Sequence, residues 1–382
     1  MLRVLTLSTL FPDARRPNFG VFVERQTQGL ATFDDVELEV VAPLGIPPWP
    51  FDRHPQYRDR ASLPRQEQWN GLDVHRPRFF HLPGPGARFA PALMARALLP
   101  FLRKIRERFP FDVIDAEFFW PDGPAAIALG RALGVPVSIK ARGSDIHHWS
   151  STSFGLRQIR DAGLQADGIL AVSAALRRDM IALGLPEDRI RVHYTGVDLD
   201  RFVPVERSRG EAPLLLTVGY LIERKGQHLA IEALREIPGA RLLIIGDGPA
   251  RGALEAHIKA AGLGDRVTLL GARPHAELPA YFAAADVMVL PSSSEGLANV
   301  WVESLACGTP VVLPDVGGSR ELVDRAAAGR IAERTPQAIA SAVRELLANP
   351  PDRKETRATA ERFAWSVNSE ALRAHLSALV ER

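Results

Sequence analysis

Short runs of β-branched and leucine residues alternate along this chain with longer stretches in which apolar positions recur every three or four residues. Strand-like runs at 2–8, 36–42, 112–116, 135–140, 168–172 and 190–194 alternate with helical patterns that include 20–32, 91–108 and 123–133. That rhythm predicts βαβ units and a parallel sheet. A second series begins with strands at 214–219, 241–246, 266–270, 286–291 and 310–313, each followed by a helical segment. Helical patterns at 335–347, 353–363 and 367–380 end the chain, with Trp365 and Ser366 interrupting the last two. Between the two series, the charged, proline-containing stretch from Arg201 to Pro213 fits neither period and is expected to be the inter-lobe linker. Residues 43–90 are rich in Pro and Gly with little periodicity, which predicts a long excursion on the surface of the first lobe. There is no short-period repeat and no low-complexity tract. The expected fold is α/β, with two Rossmann-like, doubly wound lobes facing a central cleft. The first is 1–200, with 366–382 packing back onto it, and the second is 201–365.

A length of 382 residues agrees with two lobes, given about 150 residues per domain. With 46% hydrophobic and 24% charged residues, the composition is that of a folded globular protein. A net charge of +2 provides no global basic field for nucleic acid, so an anionic ligand must be held locally. The lone Cys307 cannot form an internal disulfide, which suits a reducing compartment and predicts a cytoplasmic protein. The opening run from Met1 to Leu10 has no small-residue cleavage pattern and reads as a first strand rather than a signal peptide. No apolar run approaches the roughly 18 residues of a membrane-spanning helix, so any membrane contact is expected to be peripheral.

Ligands of open parallel sheets bind beyond the carboxyl ends of the strands, and three such places carry candidate chemistry. After the strand at 214–219 come Gly219, Arg224 and Lys225. Glycine allows close backbone approach, and a cation at a helix start suits a diphosphate. The turn Gly246-Asp247-Gly248-Pro249 follows the next strand, with Asp247 placed to cap a helix beginning near Pro249. Most informative is the run from Leu290 to Val312, a strand, a turn, a helix and a strand. Glu295 falls in the turn and Glu303 lies about two helical turns deeper, amid the apolar Val300, Trp301, Val302 and Leu305. Two carboxylates so spaced can accept hydrogen bonds from hydroxyls at both ends of a sugar nucleotide, with the helix N-terminus at Leu297–Val300 between them for phosphate.

These residues resemble glycosyltransferase family 4. Glu295 and Glu303 are followed by Ala306-Cys-Gly-Thr-Pro-Val-Val312 and by Val316-Gly-Gly-Ser-Arg-Glu321. Asn18–Gln26, Ala141–Asp145, Ala171–Ser173, Thr195–Asp198 and Arg266–Gly271 extend the resemblance over nearly the whole chain. The resemblance implies the two-lobed GT-B fold and a glycosyltransferase that retains anomeric configuration while moving a sugar from a nucleotide-diphosphate sugar to an acceptor hydroxyl. Polysaccharide, glycolipid or cell-envelope glycan synthesis is the implied setting, with the first lobe for the acceptor and the second for the donor. It further implies that Glu303 holds the ribose, Glu295 the donor hexose hydroxyls and Lys225 the diphosphate, assisted by backbone amides at Gly296, Asn299 and Val300. Gly20 would lie beside the phosphates, the loop from Leu270 to Arg273 would border the base, and Ser144 and Asp145 would face the cleft. Asp145, Lys225 and Glu295 are thereby the catalytic candidates, and Gly219, Gly246 and Arg224 join the donor set.

The sequence departs from the family pattern at two places. Tyr220 stands where members often carry an arginine, for which Arg224 is the candidate replacement. Asp115-Ala-Glu117 and Arg142–Asp145 stand where many carry a histidine. The family mechanism is front-face attack in which the leaving phosphate oxygen takes the acceptor proton, so no enzymic nucleophile, cofactor or metal is expected. Asp198-Leu-Asp200 spells D-x-D but leads into the linker, and His147 and His148 lack a second ligand cluster at fixed spacing. At 91–111, Leu93, Met94, Leu98, Leu102 and Ile105 alternate with Arg96, Arg103, Lys104, Arg106 and Arg108. Such a basic amphipathic helix either covers the first sheet or lies on an anionic membrane surface beside a lipid-linked acceptor. A non-hydrolysing sugar-nucleotide epimerase and a catalytically degenerate partner subunit are the competing readings.

Overall fold

A computed structural model describes residues 1–58, 60–205 and 212–381. The chain forms two compact units, Met1–Tyr194 with Trp365–Arg382, and Thr195–Ala364. The first crossing lies N-terminal to the expected linker. Val197 already belongs to the second unit, donating its N–H to the Phe363 carbonyl oxygen at 2.7 Å. Phe202, buried, lies 6.1 Å from the Phe282 ring. Residues 206–211 of the expected linker lie outside the described residues.

The first unit is built on an eight-stranded sheet in the order Ile190–Val192, Gly168–Ala171, Val137–Ala141, Val113–Ala116, Leu2–Leu7, Val36–Val41, Leu72–His75 and Gln66–Trp69. The last pair is antiparallel and every other pair is parallel. Strand order reverses between Leu2–Leu7 and Val113–Ala116, which is the switch point of a doubly wound sheet. Helix Ala90–Arg108 buries Met94, Leu98, Leu102 and Ile105 in the largest core cluster. Its apolar face therefore covers the sheet, and Arg96, Arg103, Lys104 and Arg108 are exposed on the opposite side, with Ala92, Pro100 and Glu107. The C-terminal helix Trp365–Val380 buries Leu372 and Leu376 against Leu2, Val4 and Leu30, because its apolar positions recur at helical spacing.

Segment 43–90 is more ordered than its composition predicts. It contributes Gln66–Trp69 and Leu72–His75 to the main sheet, and a small parallel pair of its own, Leu44–Ile46 with Arg78–Phe80. These strands are three or four residues long, too short for alternation to stand out among prolines.

In the second unit, six parallel strands run in the order Val267–Gly271, Arg241–Ile245, Leu214–Val218, Val287–Val289, Val311–Leu313 and Gly329–Ile331. Gly329–Ile331 has no counterpart among the expected strands, and the helix predicted over 353–363 ends at Ala358, with a 3₁₀ turn following at Glu361–Phe363. The strands read as continuous hydrophobic runs because helices cover both faces. The order reverses between Leu214–Val218 and Val287–Val289, so the loops after these two strands flank the switch point.

Candidate active site

Lys225 follows the first of those switch-point strands and Glu295 the second. The Lys225 ammonium donates to Glu295 Oε1 at 2.5 Å, and an Arg224 terminal nitrogen lies 3.7 Å from the same oxygen. Two cations thus converge on one carboxylate that is itself nearly buried. The two loops are clipped together by backbone. The Ser293 N–H donates to the Arg224 carbonyl at 2.8 Å, while the Arg224 guanidinium donates to the Ser294 carbonyl. Gly226 sits at φ 70°, and a Cβ there would overlap the Pro291 carbonyl oxygen. Gly317, at φ 52°, is equally constrained, since a Cβ would overlap the carbonyl oxygens of Glu295 and Gly296. The Gly318 N–H donates to the Gly296 carbonyl at 2.7 Å, so the glycine pair buttresses the turn that carries Glu295.

Glu303 lies within helix Asn299–Ala306 and is only 8% exposed, a buried acid amid its apolar neighbours. His275 Nε2 lies 2.7 Å from Glu303 Oε1. Sequence reasoning missed this histidine, although it lies in the loop beyond the carboxyl end of Val267–Gly271, where ligand residues are to be sought. The helix begins at Asn299 with Ala298 at its N-cap position and no side-chain cap; the Trp301 N–H donates to the Ala298 carbonyl at 3.0 Å, which leaves the amides of Asn299 and Val300 as the candidates for a ligand. Arg273 shares the His275 loop, and its buried Nε has no hydrogen-bond partner among the described residues. Gly219 and Gly246 end neighbouring strands with their backbones in contact, and the Gly246 N–H donates to the Gly271 carbonyl at 2.9 Å. Asp247 does not cap a helix. Its carboxylate accepts the adjacent Gly248 N–H at 2.8 Å, and the following helix, Arg251–Ala260, starts from Ala250 without a side-chain cap. Tyr220 is 60% exposed.

In the first unit, Gly20 is the N-cap residue of helix Val21–Leu30 at φ 73°. Asp145 is fully buried, and it accepts the N–H groups of Phe119 at 2.7 Å, Arg142 at 2.9 Å and Ile146 at 3.1 Å. Its pKa is raised by burial, against a weaker opposing pull from the Phe119 and Arg142 N–H groups. With both oxygens accepting from backbone, Asp145 clamps its loop. His147 pairs with Asp179 at 3.0 Å, and Asp198 accepts the Asp200 and Arg201 N–H groups at 3.2 and 3.1 Å in a local turn.

Around Asp115-Ala-Glu117 and Arg142 the chain buries a charged network. Glu117 is held by Arg142, whose Nε also donates to the Glu117 carbonyl at 2.9 Å, and by Gln26. Lys140 donates to Gln26 and, at 2.6 Å, to His193 Nδ1, and His193 Nε2 faces the Asn368 carbonyl at 2.8 Å. An acceptor opposite Nε2 fixes the proton there and leaves Nδ1 to accept from Lys140. Burial, then Arg142, pushes Lys140 down to about 7, while burial and Lys140 hold His193 well below its usual value. Burial and Glu117 raise the pKa of the neighbouring Asp115 well above the usual carboxylate value. The network ties helix Val21–Leu30 and the C-terminal helix to the sheet through Gln26 and Asn368.

Two units, each a doubly wound parallel sheet, give the chain the GT-B fold. The structure matches a sucrose-phosphate synthase from Thermosynechococcus elongatus over 100% of both chains, with a TM-score of 0.82 at 19% identity. It matches Anabaena HepE, solved in complex with UDP, over 99% of this chain and 100% of that one, with a TM-score of 0.74 at 20% identity. Residues 20–201 match the profile described as Glycosyltransferase Family 4, and residues 200–363 that of Glycosyl transferases group 1. A Bacillus subtilis glycosyltransferase named for teichuronic acid biosynthesis is 30% identical over 373 residues, covering 90% of this chain and 88% of the relative. A GDP-mannose-dependent α-(1-6)-phosphatidylinositol monomannoside mannosyltransferase of Mycolicibacterium smegmatis is 31% identical over 262 residues, 62% of this chain and 68% of the relative. The chain belongs to glycosyltransferase family 4 and is a glycosyltransferase.

Proposed function

We propose that the second lobe binds a nucleotide-diphosphate sugar and transfers its sugar, with retained configuration, to an acceptor hydroxyl. The observation that carries this is the convergence of Lys225 and Arg224 on Glu295 at the switch point, beside an uncapped helix N-terminus that leads to Glu303. A diphosphate takes the place of the Glu295 carboxylate as the partner of Lys225, with Arg224 standing in for the arginine absent at Tyr220. Glu295 then turns to the hexose hydroxyls, and Glu303, oriented by His275, accepts from the ribose hydroxyls. The bond from the anomeric carbon to the diphosphate oxygen breaks, and the acceptor oxygen bonds to that carbon on the same face. The acceptor proton passes to the leaving phosphate oxygen. Lys225, Arg224 and the helix amides stabilise the charge that develops there, and the carboxylates hold the reactants in place.

The relatives' names, which include teichuronic acid, colanic acid and phosphatidylinositol mannoside synthesis, favour a cell-envelope glycan or glycolipid as product. No helix among the described residues is long and apolar enough to cross a membrane. Peripheral contact at the inner membrane face of a cytoplasmic enzyme would fall mainly to the exposed cations of Ala90–Arg108, because Met94, Leu98, Leu102 and Ile105 are buried. A thermal-shift screen of UDP- and GDP-sugars tests the donor assignment, since a ligand bound only by the folded state raises Tm. NMR of the product anomer tests retention. No stabilisation by any nucleotide sugar would remove the reading.

A further inference from the structure

The loops after the switch-point strands of the first sheet, Leu2–Leu7 and Val113–Ala116, open onto a cavity of about 400 Å³ that the donor reading does not use. Thr9 and Leu10 come from the first loop, and Phe118, Trp120 and Pro121 from the second. Segment 43–90 closes the other side with Tyr57, Arg60, Phe79 and His81. The volume lies within the range of about 300–1,000 Å³ usual for small-molecule sites, at the place where open α/β sheets take ligands.

Rigid aromatic rings and guanidinium groups share this cavity. The Trp120 and Trp149 rings are in contact, with centroids 3.6 Å apart, and the Trp120 indole N–H is fixed by Gln158 at 2.8 Å. The Arg16 guanidinium lies 4.2 Å from the Phe19 ring centroid and that of Arg60 lies 4.9 Å from Tyr57. Arg16 is held by Asp13, donating from Nε at 3.1 Å and from a terminal nitrogen at 2.8 Å. Arg60 has a buried Nε with no hydrogen-bond partner among the described residues. Burial and repulsion from Arg16 lower its pKa, against a weaker pull from Tyr57 and from Asp13, the carboxylate that Arg16 already engages. Two guanidiniums that repel each other in a half-buried recess, one with an orphaned donor, call for an added anion. The flat aromatic walls suit the apolar face of a pyranose ring.

We propose that this cavity binds an anionic saccharide as acceptor, its ring against Trp120, Trp149 and Tyr57 and its carboxylate or phosphate on Arg60 and Arg16. The proposal rests on the reading that the chain transfers a sugar to an acceptor hydroxyl, and it adds the acceptor's charge. Neutral sugars would leave the Arg60 donor and the charge repulsion unanswered.

The test is calorimetric titration of the full chain with glucuronic acid, glucose 6-phosphate, glucose and inorganic phosphate. At least one anionic sugar should bind tenfold or more tightly than both glucose and inorganic phosphate, and which one does so separates carboxylate from phosphate recognition. Arg60→Gln should erase that tenfold preference, and Trp149→Ala should weaken the preferred anionic sugar threefold or more. Both should leave the binding of UDP or GDP within twofold of the parent. Arg60→Lys, which keeps the charge, serves as the folded control and should retain part of the preference. Glucose or inorganic phosphate binding as tightly as the anionic sugars, or Arg60→Gln leaving the preference intact, overturns the proposal. Absent nucleotide binding with the sugar preference intact would sink the donor reading alone.

Discussion

Lys225 Nζ and Glu295 Oε1 lie 2.5 Å apart, so the cation and the carboxylate expected to grip different parts of one donor neutralise each other within the protein. Both are mostly shielded from solvent, where such a pair is far less screened than at the surface. A diphosphate arriving at Lys225 therefore competes with Glu295. Glu295→Gln should tighten UDP or GDP binding several-fold by freeing Lys225, while lowering kcat/KM for the sugar nucleotide at least tenfold. Calorimetry and steady-state kinetics on one preparation separate the effects, and weaker nucleotide binding in this variant would contradict the competition.

Lys225→Met should lower kcat by about 10²–10³, the usual cost of losing a preorganised charge at a developing oxyanion. Arg224→Ala should cost less, because that side chain is more exposed and lies farther from the shared carboxylate oxygen. Equal losses in single-turnover rates would instead make Arg224 a full partner in holding the diphosphate.

Glu303→Ala should weaken nucleotide binding about tenfold or more, the equivalent of roughly 1.5–3 kcal/mol for a charged hydrogen bond. His275→Ala should produce a smaller loss of the same kind, since the imidazole acts by orienting Glu303. Removing the ribose hydroxyls from the ligand should flatten both effects. Unchanged nucleotide affinity in Glu303→Ala would remove the main support for the donor reading.

Gly317→Ala should unfold at lower denaturant by about 2 kcal/mol or more, because an alanine at positive φ is strained and its methyl meets the Glu295 and Gly296 carbonyls. Activity should fall further than stability, as the displaced turn carries Glu295. Asp145→Ala should be destabilising by about 3 kcal/mol through its orphaned backbone donors. Asp145→Asn should restore part of that stability, an outcome that a purely catalytic aspartate would not produce.

Burial raises the Asp122 carboxyl to about 7 from an ordinary value near 3.8, only partly offset by the Thr9 N–H at 2.8 Å. Between those two values the folded state holds the proton more tightly than the unfolded one. The corresponding stability is complete below the lower value and is lost as pH rises through about 7. Asp122→Asn lacks this proton, so its Tm relative to the parent should climb across that window. A difference that does not vary with pH would show that Asp122 is not protonated in the fold.

Both sheets were legible in the residue pattern, because parallel strands covered on both faces are short apolar runs and their helices carry a 3.6-residue period. Glu295, Glu303 and Lys225 could be singled out as candidates as well, since Lys225 and Glu295 follow strands and Glu303 is an acid amid apolar helix positions. Local pattern determined that much. Only the tertiary structure decided which groups meet. Lys225 and Glu295 are separated by 70 residues, and His275 and Glu303 by 28, and nothing in local sequence encodes those pairings. What Asp145 meets could not be read from its motif, because its partners, the amides of Phe119, Arg142 and Ile146, are backbone groups without a sequence signal. The strands of 43–90 escaped notice because three or four residues cannot display a period, and they become strands only by pairing with neighbours the fold supplies.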